Sequence, residues 1–196
     1  MTQHPVTQFD SLPETLRERD ILAKPIGTTS DRLVSALTTL LTSVCTNTEW
    51  EYGESWLPNP TGTLLELSPA WCVNTNLDLH KAISWMQFQI CSKAFVLSPG
   101  EGLPGRVWQY QQCEWLDDAA AASDTYFLRN QIAKAFSVKT GFGIPIIVSA
   151  QLLAVVVFFR SKPRSPHPLT IAQTQAIVSN FQSEYSIWDA PIDSIE

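Results

Sequence analysis

Two nearly continuous apolar runs, Gly141 to Val148 and Leu152 to Arg160, constrain the fold more than any other feature of the 196-residue chain. Only Ser149-Ala150-Gln151 separates them, so they read as the two strands of a hairpin. A strand with one wet face alternates apolar and polar residues. These do not, so both faces of the hairpin are expected to be covered. The fold must therefore supply a sheet with helices on its faces.

The rest of the chain supplies them. A helix is expected from Thr29 or Ser30, either a good N-cap, with Asp31 in its first turn and Leu33, Val34, Leu37, Leu40, Leu41 and Val44 at helical spacing. Trp50 to Trp56 and Thr63 to Leu67 read as a second hairpin around Pro58-Asn59-Pro60-Thr61-Gly62, with Ser68-Pro69-Ala70-Trp71 as a connection. Leu79, Ala82, Ile83, Met86 and Ile90 mark a second helix, and Ala94 to Leu97 a short strand. Gly102 to Tyr110 reads as a turn entering a short helix, Glu114 to Leu116 as a strand and Tyr126 to Phe136 as a helix. Thr170 and Gln173 form a capping box opening a last helix, striped by Ile171, Ile177, Val178, Phe181 and Tyr185. Met1 to Thr28 is polar and proline-bearing, with one short amphipathic turn at Leu12 and Leu16.

Composition excludes several function classes. The formal net charge is −6 and Lys and Arg form no basic run, which argues against a nucleic-acid surface. No apolar run approaches the roughly 18 residues of a membrane helix. The first ten residues lack a secretory pattern, so a cytoplasmic protein without a membrane partner is expected. Cys45, Cys72, Cys91 and Cys113 form no Cys-x-x-Cys pair, and no His lies at short ligand spacing from a Cys, which disfavours a metal site. Such dispersed thiols read as reduced core residues.

The segment Gly100-Glu101-Gly102-Leu103-Pro104-Gly105-Arg106-Val107-Trp108 resembles one found in many bacterial GAF domains. In matching order follow Trp115 and Asp118, then Arg129, Ala133 and Ala135. Gly141-Phe142-Gly143-Ile144-Pro145-Ile146 and Leu153-Ala154-Val155-Val156-Val157-Phe158-Phe159 complete the series. Trp56 and Leu67 to Trp71 fit that family's first hairpin. The likeness runs from about Thr29 to Tyr185. Ser149-Ala150-Gln151 lacks the family's usual turn glycine, and Ala154 and Val157 depart from its common residues.

The resemblance implies an α+β domain: a central antiparallel sheet of about five to six strands flanked by helices, with the N- and C-terminal helices packed together. The implied organisation is a flexible extension 1–28, a GAF-like domain 29–187 and an acidic tail 188–196. It also implies a pocket between the sheet and the helices on one face. The candidate ligand-binding residues are Trp71, Trp85, Phe95, Arg106, Trp108, Trp115, Asp118 and Phe142. Apart from the family, the glycines permit an unusual turn, and the backbone N–H groups after it, with Arg106, suit an anion or polar head. Alternatively the glycines merely shape the turn and Arg106 pairs with a carboxylate such as Asp118.

The expected function is a non-catalytic sensory or regulatory module that binds a small molecule or a signalling protein, or a ligand-free dimerisation module. A homodimer through helices 30–45 and 170–187 is expected. GAF-type free methionine sulfoxide reductases carry a catalytic Cys where Pro104 stands, and bilin-binding relatives a Cys-His pair that is absent here, as is the signature of cyclic-nucleotide binders. No cofactor is identified.

Overall fold

The computed structural model describes residues 29–188. The amphipathic turn at Leu12 and Leu16, the extension 1–28 and the acidic tail beyond Trp188 lie outside the described residues. Eleven elements follow in the expected order. They are α1 (Thr29–Asn47), β1 (Tyr52–Pro58), β2 (Leu65–Val73), α2 (Leu79–Ser92), β3 (Val96–Leu97), α3 (Gly102–Tyr110), β4 (Glu114–Leu116), α4 (Asn130–Ala135), β5 (Gly141–Val148), β6 (Gln151–Phe159) and α5 (Pro168–Trp188).

The strands form one antiparallel six-stranded sheet in the order β3-β2-β1-β6-β5-β4. The apolar hairpin β5–β6 lies inside it, between β4 and β1. Both of its faces are buried, as its lack of alternation requires. Val156 and Phe158 face a cluster with Leu37, Leu41 and Val44 of α1 and Val178 of α5. Val155, Val157 and Phe159 face a second cluster with Trp85 and Phe88 of α2, Leu103 and Val107 of α3 and Ala133 of α4. Helices α1 and α5, the first and last of the described helices, also touch each other and share one side of the sheet. Trp50 ties that side together: its ring stacks on Phe142 and Phe158, and its Nε1–H donates to Thr174 Oγ1 on α5 at 2.9 Å.

Three local readings change, and the facing of α2 is a further finding. Strand β2 does not stop at Leu67. It runs to Val73 through a bulge in which Ser68, Pro69 and Ala70 oppose only Ser55 of β1. Pro69 has no N–H for a ladder, and a bulge is where a sheet tolerates that. Ser55 Oγ donates to Ala70 O at 3.0 Å and secures the irregularity. Helix α5 begins at Pro168, not after Thr170. Proline suits a first helical position, and the Thr170 N–H is capped by His167 Nδ1 at 3.3 Å. Helix α4 begins only at Asn130, because Arg129 takes a non-helical φ of −95° and ψ of 18° as its side chain turns inward. Finally, the apolar periodicity that identifies α2 lies on its outer side. Leu79, Ile83, Met86 and Ile90 are exposed, whereas Trp85, Phe88, Gln89 and Ser92 are buried.

Candidate functional site

The space between the sheet and α2, α3 and α4 is organised by β1. Successive strand residues face opposite ways, so Tyr52, Glu54 and Trp56 share this face. Glu54 is fully buried, and opposite it lies Arg129, also buried. The guanidinium grips the carboxylate with two groups, Nη2 to Oε1 at 2.6 Å and Nη1 to Oε2 at 3.1 Å. Tyr52 Oη–H donates to Oε2 at 3.1 Å and Trp56 Nε1–H to Oε1 at 2.9 Å. Arg129 Nη1 also donates to Ser92 Oγ, at the end of α2, at 2.9 Å. Four rings (Trp56, Phe88, Phe127 and Phe159) surround the guanidinium at 5.0 to 5.5 Å from their centroids.

An ion pair this deep survives only if each charged atom is satisfied, because both partners have lost their hydration. Here both carboxylate oxygens accept two hydrogen bonds. Cation–π contact supplies further stabilisation to the guanidinium. Burial pushes the Tyr52 phenol well above its ordinary range, and the neighbouring Glu54 charge adds to the shift. Tyr52 is thus held as a neutral donor. The cluster joins β1, α2 and the entry to α4, and the chain's own side chains fill this region.

The glycine-rich segment around α3 packs just as closely. A Cβ on Gly105 would lie 2.4 Å from the Ser98 carbonyl oxygen, so that position must be glycine for the loop to reach the helix. The first turn, Gly102 to Gly105, is buried. Arg106 Nε lies 3.0 Å from both Glu114 carboxylate oxygens, its Nη2 donates to Oε1 at 2.6 Å, and its guanidinium stacks 3.8 Å over the Tyr126 ring. The partner carboxylate is therefore Glu114, not Asp118. Asp118 instead accepts the Ala120 and Ala121 N–H groups and pairs with Lys139 at 3.2 Å.

The eight candidate ligand-binding residues are not brought together. Trp71, Trp85, Phe95 and Trp108 belong to the cluster under α2 to α4. Trp115 and Phe142 lie on the other side of the sheet, beside α1 and α5, where their rings meet at a tilt with centroids 5.7 Å apart. Trp115 also donates to the Arg164 carbonyl at 3.1 Å. Arg106 and Asp118 are taken up by the contacts just described. Two open concavities among the described residues lie elsewhere. One, of about 360 Å³, runs between β5 and α5 beside Cys113 and Gln182; the other, of about 310 Å³, lies beside the Pro58-Asn59-Pro60 turn. Among the described residues no three His, Cys, Asp or Glu side chains converge as a metal-binding group.

Glu54 escapes sequence reasoning because an acidic residue in a strand reads as surface. The available signal is its place between Tyr52 and Trp56, on the face those aromatic residues commit to the interior. Arg129 is legible only as a motif position.

No protein-family model matches the sequence, and neither does any curated protein. Solved structures do. A GAF domain region from Geobacter sulfurreducens superposes with a TM-score of 0.57 at 12% identity, covering 80% of this chain and 97% of its own. The blue-light absorbing form of the PixJ GAF domain from Thermosynechococcus elongatus gives 0.57 at 12%, covering 83% and 90%. A GAF domain/HD domain protein from Geobacter sulfurreducens gives 0.55 at 15%, covering 82% and 95%. Identities this low speak to the fold alone, and on that evidence the chain is a six-stranded α+β domain with the GAF fold.

Proposed function

We propose that this chain is a non-catalytic regulatory module of the sensory GAF type, working through protein contacts and holding no small molecule between its sheet and helices α2 to α4. One observation carries this reading: the buried Glu54–Arg129 pair and its ring of aromatic side chains occupy that space and satisfy one another. A ligand entering there would have to break a desolvated ion pair, which costs several kcal/mol before any contact is gained. The GAF fold of sensor proteins supports the regulatory part of the reading. Among the described residues no helix is long and apolar enough to cross a membrane.

The partner we infer is a second copy of this chain. The stripes of α1 and α5 are spent on the sheet, with Leu33, Val34, Ile171 and Phe181 packed against its core. Among the exposed apolar side chains, which also include Val96, Tyr110, Tyr126, Leu128 and Leu169, those of α2 form a stripe along one helix. Its residues are 73% (Leu79), 43% (Ile83), 47% (Met86) and 61% (Ile90) exposed, at alternating spacings of four, three and four. That is the seam spacing of two-helix packing. Run antiparallel, two such helices set Leu79 against Ile90 and Ile83 against Met86. They also bring Asp78 of each copy toward Lys93 of the other, so charge and dipole favour that direction.

Native mass spectrometry of protein purified from its own host, with an absorption spectrum, tests the reading. Ligand-free mass and no visible band are expected. A stoichiometric bound small molecule or a chromophore band would overturn it.

A further inference from the structure

Cys45 and Cys72 are 27 positions apart in sequence, yet their sulfurs lie 3.3 Å apart. The contact is built from both sides. Cys45 is buried in the last turn of α1, and Cys72 is half-buried on β2, opposite Gly53 of β1. Asn74, just past β2, donates its side-chain amide to the carbonyls of Cys45 and Trp50, so the end of α1 is clamped over the strand that carries Cys72. We propose that Cys45 and Cys72 are a hydroperoxide-oxidisable dithiol whose disulfide staples α1 to β2. This goes beyond the function proposed above and holds whether or not the chain self-associates.

The two thiols are unequal. A hydrogen bond from Cys45 lowers the pKa of Cys72 below the ordinary thiol range, with help from the Gly53 N–H, against the opposing effect of burial. Cys45 is shifted the other way, by that same bond, by burial and by the adjacent charge. Cys72 is also the more exposed of the two, so peroxide reaches it first; it is the attacking thiolate and Cys45 the resolving thiol. The Cys72 thiolate takes one oxygen of hydrogen peroxide. The O–O bond breaks, the second oxygen leaves as water once protonated, and a sulfenic acid remains. The Cys45 sulfur then attacks that sulfur, the S–S bond forms, and the hydroxyl departs as water with the Cys45 proton. Two thiols and one peroxide give one disulfide and two waters, with two electrons passing to the peroxide. The sulfurs must close to a bond length of about 2.05 Å, a movement small enough for side-chain rotation and a slight shift of the helix end.

The experiment uses the full chain with Cys91→Ser and Cys113→Ser, since both of those thiols are exposed and would cross-link between molecules. Protein treated with equimolar hydrogen peroxide is alkylated and its intact mass and peptides are read, with melting followed in parallel. The expected result is a loss of 2 Da, a 45–72 cross-linked peptide reversed by dithiothreitol, and a Tm raised by roughly 5–10 °C, as closing a loop of this size implies. Adding Cys45→Ser should leave a sulfenic acid on Cys72 that dimedone traps. The proposal is overturned if both thiols remain alkylatable after peroxide, if oxidation ends at a sulfinic acid without a cross-link, or if the cross-link forms only in urea or lowers Tm.

Discussion

Arg129 shows how much a single residue can decide. Replacing it with Met leaves Glu54 buried and charged, with only Tyr52 and Trp56 as donors. Arg129→Met should therefore lose about 3–5 kcal/mol in urea unfolding, whereas adding Glu54→Gln should recover much of that loss, since breaking a buried pair costs more than replacing both partners. Equal losses in the single and double variants would mean that the arginine acts by packing alone. Tyr52 carries a pH prediction. Its folded pKa lies above its unfolded value, so the folded state holds the phenolic proton longer. Its contribution is complete below the unfolded pKa of about 10 and is lost as pH rises from there toward the folded value. Tyr52→Phe should be less stable at neutral pH by about 1–3 kcal/mol, the cost of an unmet hydrogen bond at Glu54. The gap to the parent should narrow above about pH 10, as urea unfolding from pH 8 to 11 would show. A constant gap across that range would count against a buried, neutral Tyr52.

Packing between elements explains the sequence pattern around β5. Gly143 lies beneath α3, where a Cβ would approach Val107 Cγ2 to 2.7 Å. Valine is branched and stiff, so it cannot turn aside. Gly143→Ala should cost about 1–3 kcal/mol by thermal or urea unfolding. In a Val107→Ala background the same change should cost much less, because the clashing methyl is gone. Additive effects would place the strain elsewhere. Comparison of individual elements shows where sequence is informative. The order of helices and strands follows from local periodicity and turn residues, and it is legible throughout 29–188. The outward turn of Leu79, Ile83, Met86 and Ile90 is not, because together they look like a core stripe; of the inward side only Trp85, a pocket candidate, is legible. The buried side carries Gln89 and Ser92, and Ser92 is there to serve an arginine 37 residues away. β2 breaks at Pro69 for a local reader, yet a bulge formed with a different strand carries it on to Val73. The aromatic candidates divide between the two faces of the sheet for the same reason. Trp115 and Phe142 are aromatic like Trp85 and Trp108, but strand register puts them on the other face, and register is a long-range property.

At the scale of the whole molecule, one helix both braces the buried pair, through Ser92, and carries the exposed stripe. Helix α2 gives Trp85, Phe88 and Ser92 to the interior and keeps its aliphatic residues outside. A lone domain gains nothing from that arrangement, while a pair of domains joined along α2 would bury all four aliphatic side chains from each copy. The chain should therefore sediment as a dimer. Ile83→Ser with Met86→Ser should weaken association by at least about 100-fold, since each dimer loses four apolar side chains from its interface. Both positions are exposed in the single domain, so the variant's far-ultraviolet spectrum and melting as a monomer should stay close to the parent's. Lys93→Glu should weaken association more modestly, and less at high salt, because it sets like charges at the helix ends. A parent chain that stays monomeric at the highest concentration it tolerates would sink the antiparallel pairing. If it is dimeric but indifferent to the serine substitutions, the interface must lie elsewhere. Helices α1 and α5, which also meet along one side of the sheet, would then be the surface to substitute next.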